Sequence, residues 1–308
     1  MQRFIIDTDA GTDDAVAIMM ALRHPDVQVE AITTVAGNVP VEQATRNALY
    51  VAELCGADVP VYQGVDRPIL REPSGARHVH GQDGLGDLGL EPPQGQPQPE
   101  HAVDALVRCA ATAPGEMTLV TLGPLTNLAL ALLKEPALAS ALRQVYMMGG
   151  TVNALGNITP SAEFNVWCDP EAAQIVLHSG APVTMVGWEL VWGDMLLRLE
   201  DMDRLRTSGS PLAVFAVDCH RQAVARFEAR WGEPVLALPD PIAVAVAIDP
   251  GVCRTEALYV TVETTSELTR GETVVDRWGV LGQPPNAQVC FDPDAARFKR
   301  MLFEALMD

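Results

Sequence analysis

Short β-branched runs alternate with longer helical stretches along most of this chain, and that alternation constrains its fold more than any other feature. "RFIID" (3–7) reads as a strand and "DAVAIMMALRH" (14–24) as a helix. "VQVEAITTVAG" (27–37) reads as the next strand, and "VEQATRNALYVAELCG" (41–56) as a helix closed by Gly56. The pattern repeats with "MTLVTLG" (117–123) before "LTNLALALLKE" (125–135). It repeats again with "VYMMGG" (145–150) and "PVTMVG" (182–187) around "DPEAAQIVLHSG" (169–180). Near-continuous apolar strands followed by helices predict a parallel sheet covered on both faces. The expected fold is therefore α/β: an open, mainly parallel, doubly wound (Rossmann-like) sheet. A late β-hairpin, "ALYVTVETTSELTRGETVVDRW" (257–278), is expected to turn near Arg270-Gly271.

No repeat and no composition break marks a boundary, so residues 1–308 read as one domain. The segment 66–100 interrupts the alternation. It is rich in Gly and Pro and too long for a plain connection, which predicts an active-site loop. A hydrophobic fraction of 48% with 20% charged residues describes a globular chain with a substantial core. A net charge of −19 argues against nucleic-acid binding, which needs a basic face. The N-terminus reaches its aspartates too soon for a signal peptide, and no apolar run approaches membrane-spanning length. Six cysteines without a CxxC pair read as reduced buried thiols, so a cytoplasmic location without membrane contact is expected.

The aspartates pose the functional question. Asp7, Asp9, Asp13 and Asp14 fall within eight residues, between the first strand and the first helix. A helix start needs only one or two acids as caps. Like charges this close repel, and burying an unpaired carboxylate costs several kcal/mol or more. An EF-hand is excluded, because Gly11 falls one place early and Ile18 stands where the closing glutamate is required. A hard cation held by carboxylate and carbonyl oxygens is the best chemical explanation. In doubly wound sheets ligands bind beyond the carboxyl ends of the strands. "AGN" (36–38), "LGPLTN" (122–127) and "MGG" (148–150) leave strand ends as the aspartates do, so all four should gather at one rim.

Two families fit parts of this pattern. An apolar strand ending in DxD and Gly-Thr resembles the nucleophile loop of haloacid-dehalogenase-type phosphatases. Those enzymes need a lysine, and the chain has only Lys134 and Lys299. The wider match lies elsewhere. "DTDAGTDDAVAI" with "AITTVAGN" (31–38) resembles the signature of the inosine-uridine-preferring nucleoside hydrolase family. The similarity continues through "HVHGQDGLG" (78–86), "LVTLGPLTNLALAL" (119–132), "VYMMGGTVNALGNITPSAEFNVWCDPEAA" (145–173), "PDPIAVAVAIDP" (239–250) and "TRGETVVD" (269–276). The resemblance implies an enzyme of nucleoside salvage that hydrolyses the N-glycosidic bond of ribonucleosides, with a tightly bound calcium ion. It also implies a homodimer or homotetramer.

Carried over residue by residue, the resemblance assigns calcium ligation to Asp9, Asp14, Asp240 and the Leu122 carbonyl. Asp13 and Asn165 match residues that bind the ribose 2′- and 3′-hydroxyls, and Asn38 lines the same floor. Asn157 and Glu163 match the pair around the 5′-hydroxyl, and Asp7 is expected to brace the loop. Asp9 is the implied general base, and His80 matches a histidine on the base side. Relatives have proline where this chain has Ala10, and often threonine at Leu122. Relatives also often carry His-Asp-Pro where this chain reads Pro239-Asp240-Pro241, and that histidine is the usual proton donor to the departing base. A non-catalytic calcium-dependent nucleoside-binding protein is therefore the alternative reading. Substitutes for the missing donor are His80, then His220 and the Arg226/Arg230 face of "RQAVARFEARW" (221–231). Trp188 and Trp192 read as core residues.

Overall fold

Nine strands form one sheet in the computed structural model, which describes residues 1–153 and 155–307 and thus leaves out Ala154 and Asp308. The strands are β1 (Gln2–Thr8), β2 (Val27–Thr34), β3 (Val61–Gln63), β4 (Met117–Thr121), β5 (Gln144–Met148), β6 (Val183–Val186), β7 (Arg254–Val262), β8 (Thr273–Asp276) and β9 (Ala287–Phe291). Their order is β3-β2-β1-β4-β5-β6-β9-β7-β8. All pairings from β3 to β9 are parallel, whereas β7 runs antiparallel to both β9 and β8. The expected mainly parallel, doubly wound sheet with a late hairpin is what the chain forms. Strand order reverses between β1 and β4, so the crevice for ligands opens there, beyond their carboxyl ends.

Alternation along β1 builds a core on each face. The helices are α1 (Thr12–Arg23), α2 (Val41–Leu54), α3 (Arg77–His80), α4 (Ala102–Thr112), α5 (Thr126–Lys134), α6 (Leu138–Ala141), α7 (Phe164–Cys168), α8 (Pro170–Leu177), α9 (Leu199–Arg206), α10 (Pro211–Asp218), α11 (Arg221–Trp231), α12 (Pro239–Ile248) and α13 (Ala295–Met307). Phe4 and Ile6 pack with α1, α12 and α13. Ile5 points the other way, onto α4 (Ala102–Thr112), α5 (Thr126–Lys134) and α8 (Pro170–Leu177). Every residue of α12 is buried, and beyond Asp240 its sequence is apolar on all sides and shows no amphipathic stripe. Several expected boundaries shift. β2 ends at Thr34 because the next residues leave the sheet to form the loop around Asn38. Segment 66–100 is not a plain loop, since it holds the one-turn helix α3 (Arg77–His80).

Asn127 on α5 fastens the crevice. Its amide donates to Asp7 Oδ1 (2.8 Å) and to the Thr34 carbonyl (2.9 Å), and its oxygen accepts from Val65 N (3.0 Å). Thr33 Oγ1 gives Asp7 a further bond at 2.6 Å. Burial pushes Asp7 up to about 6 against these two donors. Asn127→Ala would leave several buried polar groups without partners, each worth about 1–3 kcal/mol. We expect it to lower unfolding free energy by about 3 kcal/mol or more in urea titrations, well beyond an exposed Asn→Ala change.

Candidate active site

The turn after β1 is built to hold its carboxylates. Asp14 Oδ2 reaches back to Gly11 N (2.8 Å), and Asp14 Oδ1 accepts from Thr8 Oγ1 (2.5 Å). Asp9 accepts from Asn38 N (2.6 Å) and from Asn38 Nδ2 (3.0 Å). A Cβ on Gly37 would fall 2.0 Å from Asp9 Oδ2, so that close approach requires glycine. Ala10 adopts φ +44°, and its N–H donates to Thr8 Oγ1 (3.0 Å). Proline can satisfy neither condition.

Asp240 enters from the far end of the chain, at the second position of α12. Single oxygens of Asp13, Asp14 and Asp240 lie within 4.8 Å of one another. Asp9 is fully buried beside them. Burial raises Asp9 well above the usual carboxylate range, and the Asp14 charge adds to the rise. Asp240 is raised likewise by burial and then by Asp13 and Asp14. Burial lifts Asp13 to about 6 and raises Asp14, where the Asp13 charge contributes second. The amino ends of α1 and α12 face the cluster and offset part of its charge. Among the described residues its one basic neighbour is His80, 3.7 Å from Asp13 and kept neutral by burial, which pushes it down to about 4. An all-oxygen set of buried acids with no protein cation suits a metal ion.

A cavity of about 680 Å³ opens above this cluster. Asp13, Asn38, Leu122, Asn157, Glu163, Asn165, His80 and Asp240 all line it. Asp9 and Asp14 lie beneath them, fully buried. Asn165 Nδ2 donates to the Leu122 carbonyl (2.7 Å), so the side chain expected on ribose also holds the carbonyl expected on the metal. Glu163 accepts from the backbone of Asn165, Gly150 and Val166, and burial pushes it up to about 7. Asn157 Oδ1 accepts from Phe164 N (2.9 Å).

The other wall of the cavity is aromatic. Trp188 and Trp192 pack partly buried against the core, as the sequence predicts, and also line the cavity, joined there by Phe227 and Trp231 of α11 (Arg221–Trp231). Trp192 packs edge-on against Trp188 (5.8 Å) and Trp231 (5.4 Å). Aromatic residues in an apolar stretch look alike in sequence whether they face a core or a cavity. Arg226 and Arg230 are exposed at the cavity rim. His80 is buried, and Thr12 N and Thr12 Oγ1 bond its Nδ1 at 3.2 and 2.9 Å. Thr12 was not singled out from the sequence, and nothing in its context marks it. The loop beyond His80 is clasped to α11. Asp87 accepts from Arg221 through its carbonyl (2.6 Å) and from Gln222 through its carboxylate (2.8 Å). A Cβ on Gly86 would lie 2.2 Å from the Cys219 carbonyl.

Both lysines sit elsewhere: Lys134 pairs with Asp104 and Lys299 with Asp201. The phosphatase reading therefore lacks its lysine. The family described as inosine-uridine preferring nucleoside hydrolase matches residues 4–300. The pyrimidine-specific ribonucleoside hydrolase RihA of Shewanella sp. (strain ANA-3) is 38% identical, over 98% of this chain and 95% of that one. A solved plant nucleoside hydrolase, PpNRh1, is 32% identical with a TM-score of 0.94, covering 99% of both chains. An inosine-guanosine nucleoside hydrolase is 36% identical with a TM-score of 0.90, over 99% of this chain and 98% of that one. The chain belongs to the inosine-uridine preferring nucleoside hydrolase family. Its helices include none long and apolar enough to cross a membrane, among the described residues.

Acidity should govern the cluster. A carboxyl whose folded pKa lies above its unfolded value contributes stability below the unfolded value and loses it as pH rises through the folded one. Asp7, Asp9, Asp13, Asp240 and Glu163 are all raised, whereas His80 and His220, pushed down to about 4, act in the opposite sense. Chelator-treated protein should therefore melt at a lower temperature at pH 8 than at pH 5.5. A divalent cation, which needs ionised ligands, should raise Tm more at pH 8. Equal shifts at both pH values in calorimetry would contradict the assignment.

Proposed function

We propose that the chain hydrolyses ribonucleosides to ribose and free base, with Asp9, Asp14, Asp240 and the Leu122 carbonyl holding calcium. The observation that carries this reading is the set of buried, uncompensated carboxylates forming the floor of a cavity also lined by Asn38, Asn165 and Glu163. Calcium bound there would orient the sugar hydroxyls and a water molecule and favour ionisation of that water. Asp9, fixed by two bonds from Asn38, takes the proton from the attacking water as C1′–O forms. The C1′–N bond breaks with its electron pair passing to the base, which departs as an anion and takes a proton from solvent, while Asp9 returns its proton to solvent. Positive charge developing on the ribose ring is stabilised by the neighbouring carboxylates. Asp13 and Asn165 bind the 2′- and 3′-hydroxyls, and Asn157 and Glu163 hold the 5′-hydroxyl.

Leaving-group activation falls to His80. A backbone N–H only donates, so the bond from Thr12 N makes His80 Nδ1 an acceptor and leaves the ring hydrogen on Nε2. With its pKa near 4, His80 is neutral at pH 7 and serves as a hydrogen-bond donor to the departing base.

Ribose release from inosine, uridine, cytidine and adenosine, before and after chelation, tests the reading. Binding without release would favour a non-catalytic nucleoside-binding protein. A site built around a 2′-hydroxyl should make 2′-deoxynucleosides poorer substrates by about two or more orders of magnitude in kcat/KM. Parity between uridine and 2′-deoxyuridine would contradict the Asp13 and Asn165 roles. His80→Ala should slow nucleoside cleavage by about 10²–10³. The same change should slow nitrophenyl riboside, whose leaving group departs without a proton, far less. Equal losses on both substrates would show that His80 only shapes the cavity.

A further inference from the structure

The β7–β8 hairpin has no part in the chemistry above, yet its turn bears on the residues of the sugar site at two separate points. The first is α7, which carries Asn165. A Cβ on Gly271, whose φ is +80°, would fall 2.6 Å from Trp167 Cα, so the turn presses directly on the helix backbone. The Arg270 guanidinium lies over the Trp167 ring, 4.4 Å from its centroid. Its buried Nε has no hydrogen-bond partner among the described residues, which leaves the stack on the indole to place the side chain. The second point is the loop after β5. Thr273, the first residue of β8, accepts from Thr151 N (2.8 Å) and donates to the Thr151 carbonyl (2.5 Å) through one hydroxyl. A Cβ on the neighbouring Gly150 would lie 2.6 Å from Thr273 Cγ2.

Both points converge on one side chain. Glu163 Oε2 accepts from Gly150 N (3.0 Å) and Val166 N (3.2 Å), and Glu163 Oε1 accepts from Asn165 N (2.9 Å). The carboxylate is thus strung between the loop after β5 and the first turn of α7. With five residues, α7 is too short to hold its place by internal hydrogen bonds. The turn that backs it is itself tied down. Glu263 Oε1 accepts from Thr265 N (2.6 Å) and Ser266 N (2.9 Å), which stiffens the turn from within. Arg71 donates to the Thr264 carbonyl (2.6 Å) and pairs with Glu171 of α8, which fixes it from outside.

We propose that the β7–β8 turn is a positioning element for the sugar site, with Arg270, Gly271 and Thr273 holding Glu163 and Asn165 at the spacing that the ribose hydroxyls require. None of the three lines the cavity, so they act only through α7 and the Gly150 loop. A hairpin that merely stabilised the fold would alter stability without altering which hydroxyl the site senses. This inference rests on the hydrolase reading above.

The ratio of kcat/KM for uridine to that for 5′-deoxyuridine, or for inosine to that for 5′-deoxyinosine, reads the bond at the 5′-hydroxyl. Wild-type protein should favour the hydroxyl-bearing member of whichever pair it cleaves. Arg270→Ala and Thr273→Val should each cut that ratio by about tenfold, with most of the loss on the hydroxyl-bearing substrate. Arg270→Lys keeps a cation over the indole and Thr273→Ser keeps the hydroxyl, so each should recover much of the ratio. Hydrogen exchange supplies a readout that needs no catalysis: residues 163–168 should exchange faster in the alanine and valine variants, while α5 stays as in wild type. A wild-type ratio near one, equal losses on both substrates, or unchanged exchange at 163–168 would overturn the assignment. Should Thr273→Val fail to fold, Arg270→Ala, at a half-buried position, decides alone. If ribosides are cleaved and the variants keep the wild-type ratio, the hydrolase reading stands and the role of the turn falls. If wild-type protein cleaves no riboside, the hydrolase reading fails and takes this role with it.

Discussion

Repulsion among Asp9, Asp13, Asp14 and Asp240 is the constraint around which the rest of this molecule is arranged. Four buried acids in one place oppose folding unless something offsets them. The chain supplies only partial relief, through the amino ends of α1 and α12, the Thr8 hydroxyl, the Gly11 N–H and three bonds from Asn38. None of these donors is a cation. The remaining charge is an affinity held in reserve for a positive ligand. Stability of the fold and capacity for binding therefore pull against each other at this point.

The sheet determines where that tension sits. Because strand order reverses between β1 and β4, the loops after these strands diverge and leave a crevice between them. Asp9 leaves β1 and Leu122 leaves β4, and Leu122 N bonds the Asp7 carbonyl (2.7 Å) across the gap. Asn127 then ties β1, β2 and the residues after β3 together from below. A rigid floor of this kind keeps carboxylates at fixed spacing, which a metal-binding site and an oriented sugar both require.

Sequence made the floor legible and the wall obscure, for a physical reason. Strands buried on both faces leave uninterrupted apolar runs, and helix starts leave acids and glycines, so the alternation and the rim emerge from local pattern. The acidic loop stands out because four carboxylates have no cheap structural use. The wall is made differently. Beyond Asp240, α12 is apolar on all sides and shows no period, and Trp188 and Trp192 belong to apolar stretches that would suit a core equally well. Thr12 matters through backbone and hydroxyl contacts that fix the His80 tautomer. Such roles depend on which atoms meet in space and leave no trace in residue type.

The clasp at Asp87 gives the upper cavity a mechanical property. His80 sits on one side of it and His220 on the other, and the bonds from Arg221 and Gln222 join the two sides. Gly86 presses against the Cys219 carbonyl at the same junction, where a side chain would not fit. The two imidazoles are therefore mounted on a single jaw. A movement of either side would carry both imidazoles together and leave their spacing unchanged.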